Sequence, residues 1–462
     1  MSEFDDETSV IAAPEAPDGL PMPRRAIAIA AVLGAMIMVV LDSAIANVAL
    51  PTLSRALHVT PAQSILVVTS YQIALVMALL PCAALGESIG YRKVYTGGVL
   101  LFVVASGFCA FSPSLPWLVA ARFLQGLGGA ATMALAQALI RFSMPHRMLG
   151  SAIGWNAMTV ALSAAAGPTI GALILSVATW PWMFAVNLPV GALVLLATRA
   201  SPESSGTGRP VDLISAGLNA LTFGALVVAA ELTTSRPIIA VGLFALTAIG
   251  LVALVRRESP RHAPLIPLDL LRTGTFRYSI IASVCCFAGQ SAGMVALPFY
   301  LQHSLGQTPL TTGLYMTPWP LTVAFAAPLS GKLSGRFPTA WLCVMGAGCL
   351  ALGLLASAII PLHGQPLGLV PLVVLGGLGF GFFQTPNNRN MLLSAPRERS
   401  GAAGGMQATA RLSGQTVGAV TMTVLFTLIP LTTAPRVGLA IGAGLAVTAG
   451  VVSLLRGAAE AA

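Results

Sequence analysis

The sequence predicts an all-α membrane protein of about fourteen transmembrane helices, built as two pseudo-symmetric six-helix bundles with two further helices inserted between them. Three observations carry that prediction. Of 462 residues, 56% are hydrophobic and only 8% charged, and the mean hydropathy is +0.85; an average soluble domain is about 25% charged. Polar residues this scarce cannot cover a soluble fold, so the first solvent of this chain is lipid. Apolar runs of roughly 20 residues, the length that crosses hydrocarbon, recur along the whole chain. Finally, segments of the first half return in the second.

Soluble enzymes, nucleic-acid readers and disulfide scaffolds are excluded together. The net charge of +9 would suggest a polyanionic partner in a soluble protein. Here the basic residues lie between the apolar runs, where topology signals belong, and none forms a patch with interleaved aromatics. Six cysteines stand in apolar runs without C-x-x-C spacing and read as small hydrophobes. The five histidines form no deep cluster, so no metal, cofactor or nucleic acid is expected.

Residues 1–25 read as a disordered acidic tail, ending in Arg24 and Arg25. A first half spans 26–200, a linker with the two inserted helices 201–260, and a second half 261–462. Spans begin near Ala26, Ser64, Val94, Pro116, Gly150 and Trp182, then Asp212 and Pro237 for the inserted pair. The second half continues at Phe276, Leu310, Thr339, Leu367, Gly401 and Arg436. Alternate connections hold the basic residues: Arg92 and Lys93; Arg141 and Arg147; Arg199 and Arg209; Arg256 to Arg277; Lys332 and Arg336; Arg397 and Arg399; and Arg456. That bias places both termini in the cytoplasm.

Two internal echoes support the halves. Pro145, Gly150, Gly154 and Ala157 return at the same spacing as Pro396, Gly401, Gly405 and Ala408. The loop from Gly86 to Lys93 is echoed by Gly331 to Arg336. Repeated halves are a transporter signature, with the substrate site between them near the midplane.

Depth sorts the polar residues. Asp42 lies roughly 24 Å along span 1, and Arg122 roughly 9 Å into the antiparallel span 4, so the two share a level in a core about 30 Å thick. Charges at that depth face the bundle interior, as a transport site or as a static ion pair. Tyr71 and Gln72 fall at a similar level. Gln290, Tyr315, Trp319, Gln384, Asn387 and Arg411 complete the candidate cavity lining. Glycines four apart, as at Gly167 and Gly171, let helices approach closely, and Pro168 between them should bend or weaken span 5.

These motifs bring the chain close to a family. It resembles the major facilitator superfamily, and within it the fourteen-helix drug:proton antiporter branch. The matching segments are Leu41 to Pro51 in span 1, Ala121 to Gly128 in span 4, Ala166 to Gly171 in span 5, Trp180 to Gly191 before span 6, and Gly379 to Asn388 in span 12. The resemblance implies proton coupling through Asp42 and Arg122, and an antiporter motif or hinge at Gly167, Pro168 and Gly171. It implies a cytoplasmic gate loop at Glu87, Gly90, Arg92 and Lys93. That loop departs from the family pattern: Ala83 replaces its first Gly, Glu87 its Asp and Ser88 its Arg, which removes part of the charge relay.

The expected function is therefore proton-coupled efflux of amphipathic or cationic organic compounds by a monomer in a bacterial-type cytoplasmic membrane, with the small-molecule substrate, protons and lipid as partners. The same fold serves symporters and facilitators, so direction rests on the span 5 motif. A membrane sensor or lipid-handling enzyme is the remaining alternative, and no nucleophile–base pair in the sequence supports it.

Overall fold

The computed structural model describes residues 19–461 apart from positions 60, 65, 205, 234–235, 260–266, 308, 361–365 and 431. Most of the acidic tail expected for residues 1–25 lies outside the described residues. The first half comprises α1 (Arg24–Ala56), α2 (Pro61–Ser64), α3 (Leu66–Ile89), α4 (Tyr91–Ala110), α5 (Leu115–Ser143), α6 (Leu149–Val177), α7 (Trp182–Ala185) and α8 (Asn187–Ala197). Next come α9 (Leu213–Leu232) and α10 (Pro237–Glu258). The second half comprises α11 (Leu268–Arg272), α12 (Gly274–Phe299), α13 (Pro309–Met316), α14 (Pro318–Leu333), α15 (Thr339–Ile359), α16 (Val370–Leu393), α17 (Ser400–Leu428) and α18 (Ala434–Ala461).

Local sequence explains where helices start and turn. Proline occupies the first turn of α5, α10, α14 and α16, where its missing N–H costs nothing. Asp212 caps α9 by accepting from the Ile214 amide at 3.1 Å. Between α3 and α4 the chain reverses over Gly90 alone, at φ +109°, a backbone state that residues with a Cβ rarely adopt.

Twelve segments among the described residues are long and apolar enough to cross a membrane. The expected number was about fourteen, and α13–α14 and α17 are the helices that do not qualify. The first pair is divided at Thr317 into pieces of 8 and 16 residues. Helix α17 is 29 residues long but carries Gln407, Arg411 and Gln415 in its middle.

Within the first half, α5 packs on α3 and α4, and α1 packs on α6 and α8. Within the second, α12 packs on α17 and α18, and α15 on α16 and α18. The inserted α9 and α10 pack on each other, and α9 rests on α3, where Asn219 donates to the Met77 carbonyl at 3.0 Å. Helix α10 leaves Ile238, Val241, Ile249 and Val252 exposed, a face suited to lipid. The halves meet where α6 crosses α14 and where α17 crosses α3 and α5.

Arg456 corrects the topology reading. It was expected in the last basic connection, but α18 continues to Ala461 and Arg456 is fully buried within it. Ser279 Oγ at 3.0 Å and Asn387 Oδ1 at 2.9 Å accept from its guanidinium, which makes burial tolerable.

Candidate functional site

Asp42 and Arg122 meet, as their shared depth requires. Arg122 Nη1 lies 2.5 Å from Asp42 Oδ2, and the two residues are 0% and 3% exposed. The other carboxylate oxygen accepts from Gln125 Nε2 at 2.9 Å and from Asn187 Nδ2 at 2.7 Å. Gln125 also donates to Ser106 Oγ at 2.8 Å. Arg122 Nε donates to the Val67 carbonyl at 3.1 Å, and its guanidinium lies 4.4 Å from the centre of the Tyr71 ring. Residues from α1, α3, α4, α5 and α8 thus enclose one ion pair. In a low-dielectric interior a charge pair needs hydrogen bonds besides its own attraction, and here both carboxylate oxygens have them, while Arg122 Nη2 is buried without a partner.

Helix α6 links this cage to the other half. Gly167 faces Ala44 and Gly171 faces Ile45, so closely that a Cβ at Gly167 would collide with that of Ala44. These α1 residues lie immediately beyond Asp42. Thirteen residues nearer its start, roughly 20 Å away along the helix, a Cβ at Gly154 would lie only 2.7 Å from the Ala327 carbonyl oxygen of α14. Gly150 abuts the backbone of Gly331. The helix persists through position 168 to Val177, so the expected interruption does not end it, and the Pro168 side chain is outside the described residues.

Helix α6 also lines a cavity of about 790 Å³ together with α12, α13, α14, α16 and α17. Ala157, Val160, Ala161, Ala164 and Thr169 form one wall; Phe287, Met294, Met316, Trp319 and Phe380 form the others. Gln290, Gln384, Gln415 and Arg411 supply its polar groups. Beneath it, a pocket of about 40 Å³ adds Gln137, Asn156, Asn388 and Gln407 and shares Gln384 and Arg411.

The end of the molecule carrying the basic connections is closed. Glu87 pairs with Arg399 and accepts from the Ala402 amide at 2.7 Å, while Arg399 also pairs with Asp269 at 3.1 Å. Burial alone would lower the Arg399 pKa, but the Glu87 and Asp269 carboxylates outweigh it and hold the guanidinium above its ordinary value. Arg141, at the end of α5, donates to the carbonyls of Leu392 and Ala395 at 2.7 and 2.8 Å.

The Major Facilitator Superfamily model matches residues 32–419. The chain belongs to the major facilitator superfamily. It is 46% identical to the uncharacterized transporter YebQ of Escherichia coli over 414 residues, covering 88% of this chain and 90% of that one. It is 34% identical to the multidrug resistance protein Stp of Mycobacterium tuberculosis over 394 residues, 83% and 72% of the two chains. Among solved structures, the human organic anion transporter MFSD10 superposes with a TM-score of 0.69 at 14% identity, covering 94% of this chain and all (100%) of that one, which speaks to fold alone. As a superfamily transporter, this protein is a membrane carrier and not an enzyme.

Four of the expected cavity residues line the cavity: Gln290, Trp319, Gln384 and Arg411. The other four do not. Tyr71 turns into the ion-pair cage, and its hydroxyl donates to the Val39 carbonyl at 3.4 Å. Gln72, one residue on and about 100° around the helix, is exposed on the other side of α3. Tyr315 packs on the core of the second half. Asn387 is 1% exposed and serves Arg456 and the Ser279 carbonyl.

The loop expected to act as the cytoplasmic gate makes its own set of contacts. Ala83 fills the place of its first glycine, and Gly405 across the seam provides the space, since a Cβ there would lie 2.8 Å from that of Ala83. Ser88, in the place of the basic residue, donates to the Arg209 carbonyl at 2.5 Å. The linker folds under the loop: the Thr207 amide donates to the Glu87 carbonyl at 2.9 Å and the Gly208 amide to that of Ser88 at 3.0 Å. Arg92 reaches Glu203 at 2.8 Å, and Lys93 is exposed. Sequence reasoning missed Gln125, Ser106, Asn187, Asp269 and Arg141. Gln125 and Asn187 did stand inside the motif segments of spans 4 and 6.

Proposed function

We propose that this protein is a proton-coupled efflux antiporter of amphipathic organic compounds, working by alternating access. The observation that carries the reading is the fully enclosed Asp42 carboxylate and its position on α1 against Gly167 and Gly171 of α6. Protonation of Asp42 removes the charge that Arg122, Gln125 and Asn187 jointly solvate. The cage loosens, and α1 is free to shift against α6. Because α6 also forms the seam with α14, a change at its far end is felt where the halves seal. In this reading the basic end faces the cytoplasm, both termini lie there, and the cavity faces outward. Helices α13–α14 and α17 complete fourteen spans with the twelve that qualify by length and hydropathy. The domains divide as read from sequence, and one chain suffices in a bacterial cytoplasmic membrane. The likeness to Stp supports drug-type substrates.

The test is transport into proteoliposomes holding the full chain, driven by an imposed pH gradient. Asp42→Asn should abolish uptake against a gradient while leaving counterflow exchange measurable, and Arg122→Ala should uncouple or arrest both. Gradient-driven accumulation by Asp42→Asn at the wild-type rate would place the coupling residue elsewhere.

A further inference from the structure

The cavity carries a net charge opposite to that of a cation site. Among the described residues Arg411 is the one of formal charge lining it, and no carboxylate lines it. Nor does the rest of either bundle hold an acid in reserve. Residues 26–200 contain only Asp42 and Glu87; from 261 to 459 the only acids are Asp269 and Glu398, and both stand at the basic end, Asp269 paired with Arg399. Asp42 is enclosed in its cage and Glu87 is held in the seam with Arg399. Glu231 stands on α9, outside both bundles. A cation entering the cavity would find no carboxylate and would meet a guanidinium in a low-dielectric space.

Arg411 is itself poorly served. Its Nη2 lies 3.8 Å from the Met133 sulfur, and its Nε is buried without a hydrogen-bond partner. No carboxylate pairs with it among the described residues. An arginine inside a membrane is costly unless something complements it. It stands six residues, roughly 9 Å, beyond Gly405, which packs on Ala83 of α3. That puts it at the floor of the cavity, shared with the small polar pocket below.

We infer that the cavity selects amphipathic organic anions, whose carboxylate or sulfonate pairs with Arg411 while an apolar body lies against Trp319, Met294, Met316 and Phe380. Guanidinium suits this pairing because it offers parallel N–H donors to two oxygens. Gln384 and Gln415 flank it with carboxamides that donate to further oxygens and repel neither charge. The inference rests on the transport reading above and replaces the cationic substrate expected from sequence. It also has an electrical consequence. Exchange of one proton inward for one monoanion outward moves charge in the same sense twice, so an inside-negative potential drives export. One-for-one exchange with a monocation would be electrically silent.

The experiment uses three probes of one shape: naphthalene-1-acetate, its neutral amide, and naphthylmethyl-trimethylammonium. Binding to the purified full chain is measured by calorimetry. The anion should bind at least tenfold tighter than the amide, and the ammonium more weakly than either. Arg411→Gln should erase the preference of anion over amide, Arg411→Lys should keep part of it, and retained amide binding shows that the variants are folded. In proteoliposomes, a potassium diffusion potential should accelerate anion exchange for protons. Tighter binding of the ammonium, or an unchanged anion preference in Arg411→Gln, would overturn the inference. Anion preference without any proton coupling would instead remove the antiport reading and leave this one standing.

Discussion

The two seams that close the basic end are copies of one design, and only one of them carries acidic residues to pair with its basic ones. Where α17 crosses α3, Glu87, Arg399 and Asp269 form a clasp, and Glu87 also takes the Ala402 amide at the start of α17. Where α6 crosses α14, Gly150 and Gly154 lie directly on the backbone of Gly331 and Ala327. The stretches 146–154 and 327–336 contain no acidic residue. By the internal repeat, Met148 stands where Arg399 stands, and Lys332 where Glu87 stands. Close backbone packing acts only at contact, whereas a charge pair still attracts after the surfaces part. The glycine seam therefore decides whether the end can close at all, and the clasp sets how firmly it stays closed.

Removing space from the glycine seam should have the largest effect. A Cβ at Gly331 would run into the Gly150 carbonyl, and backbone has no route to yield. Gly331→Val should abolish transport, by at least tenfold, with membrane insertion intact. The same variant should leave the basic end open to thiol reagents at a cysteine introduced for Ala134, which Gly404 covers in the closed state. Protection of that cysteine at the wild-type level would show that the seam tolerates a side chain.

Breaking the clasp comes second. Glu87 and Arg399 are 9% and 13% exposed at their side chains, so their pairing is partly shielded from solvent and salt. A charge-assisted hydrogen bond contributes about 1.5–3 kcal/mol, or about ten- to a hundredfold in the ratio of closed to open states. Glu87→Gln should shift that ratio by about tenfold, because Asp269 still holds Arg399. Distance measurements between labels on α3 and α17 would report it.

Sequence alone revealed the cage and hid the clasp, for a physical reason. Asp42 and Arg122 are ionised groups at one depth in antiparallel helices, and depth can be counted from the ends of spans. Gln125 and Asn187 complete the same cage as neutral amides, and nothing in their spacing tells a buried amide from a solvated one. The clasp joins residues more than 300 positions apart, Glu87 and Arg399, through a crossing angle that no periodicity encodes. The same limit separates Tyr71 from Gln72, which share a level but face about 100° apart. Arg411 was legible as a polar residue in an apolar run; its want of a carboxylate partner needed the packed structure.

Converting the second seam into a copy of the first should have a smaller effect. Met148→Arg with Lys332→Glu places the repeat-equivalent pair across α6 and α14. The closed state should gain roughly 1 kcal/mol or less at this exposed site. Turnover should slow about two- to fivefold as reopening becomes harder, and high salt should reverse the slowing. Either single variant should lack the effect. Equal slowing by both singles would trace it to bulk at the seam instead of charge.

The smallest effect sharpens the comparison from within the charged loop itself. Glu203 pairs with Arg92 at 2.8 Å, closer than Asp269 and Arg399 at 3.1 Å in the clasp, yet its side chain is 84% exposed. Water already solvates that carboxylate, ordering it costs side-chain entropy, and salt screens what remains, so such pairs contribute about 0–1 kcal/mol. The linker is held under the loop by other means: the Thr207 and Gly208 amides on the Glu87 and Ser88 carbonyls, and Ser88 on the Arg209 carbonyl. Glu203→Gln should therefore leave transport within about twofold of wild type at low and high salt alike, while Glu87→Gln does not. If Glu203→Gln opened the basic end as far as Glu87→Gln, charge at the loop would matter irrespective of burial, and the clasp would lose its claim to act through its shielded position between α3 and α17.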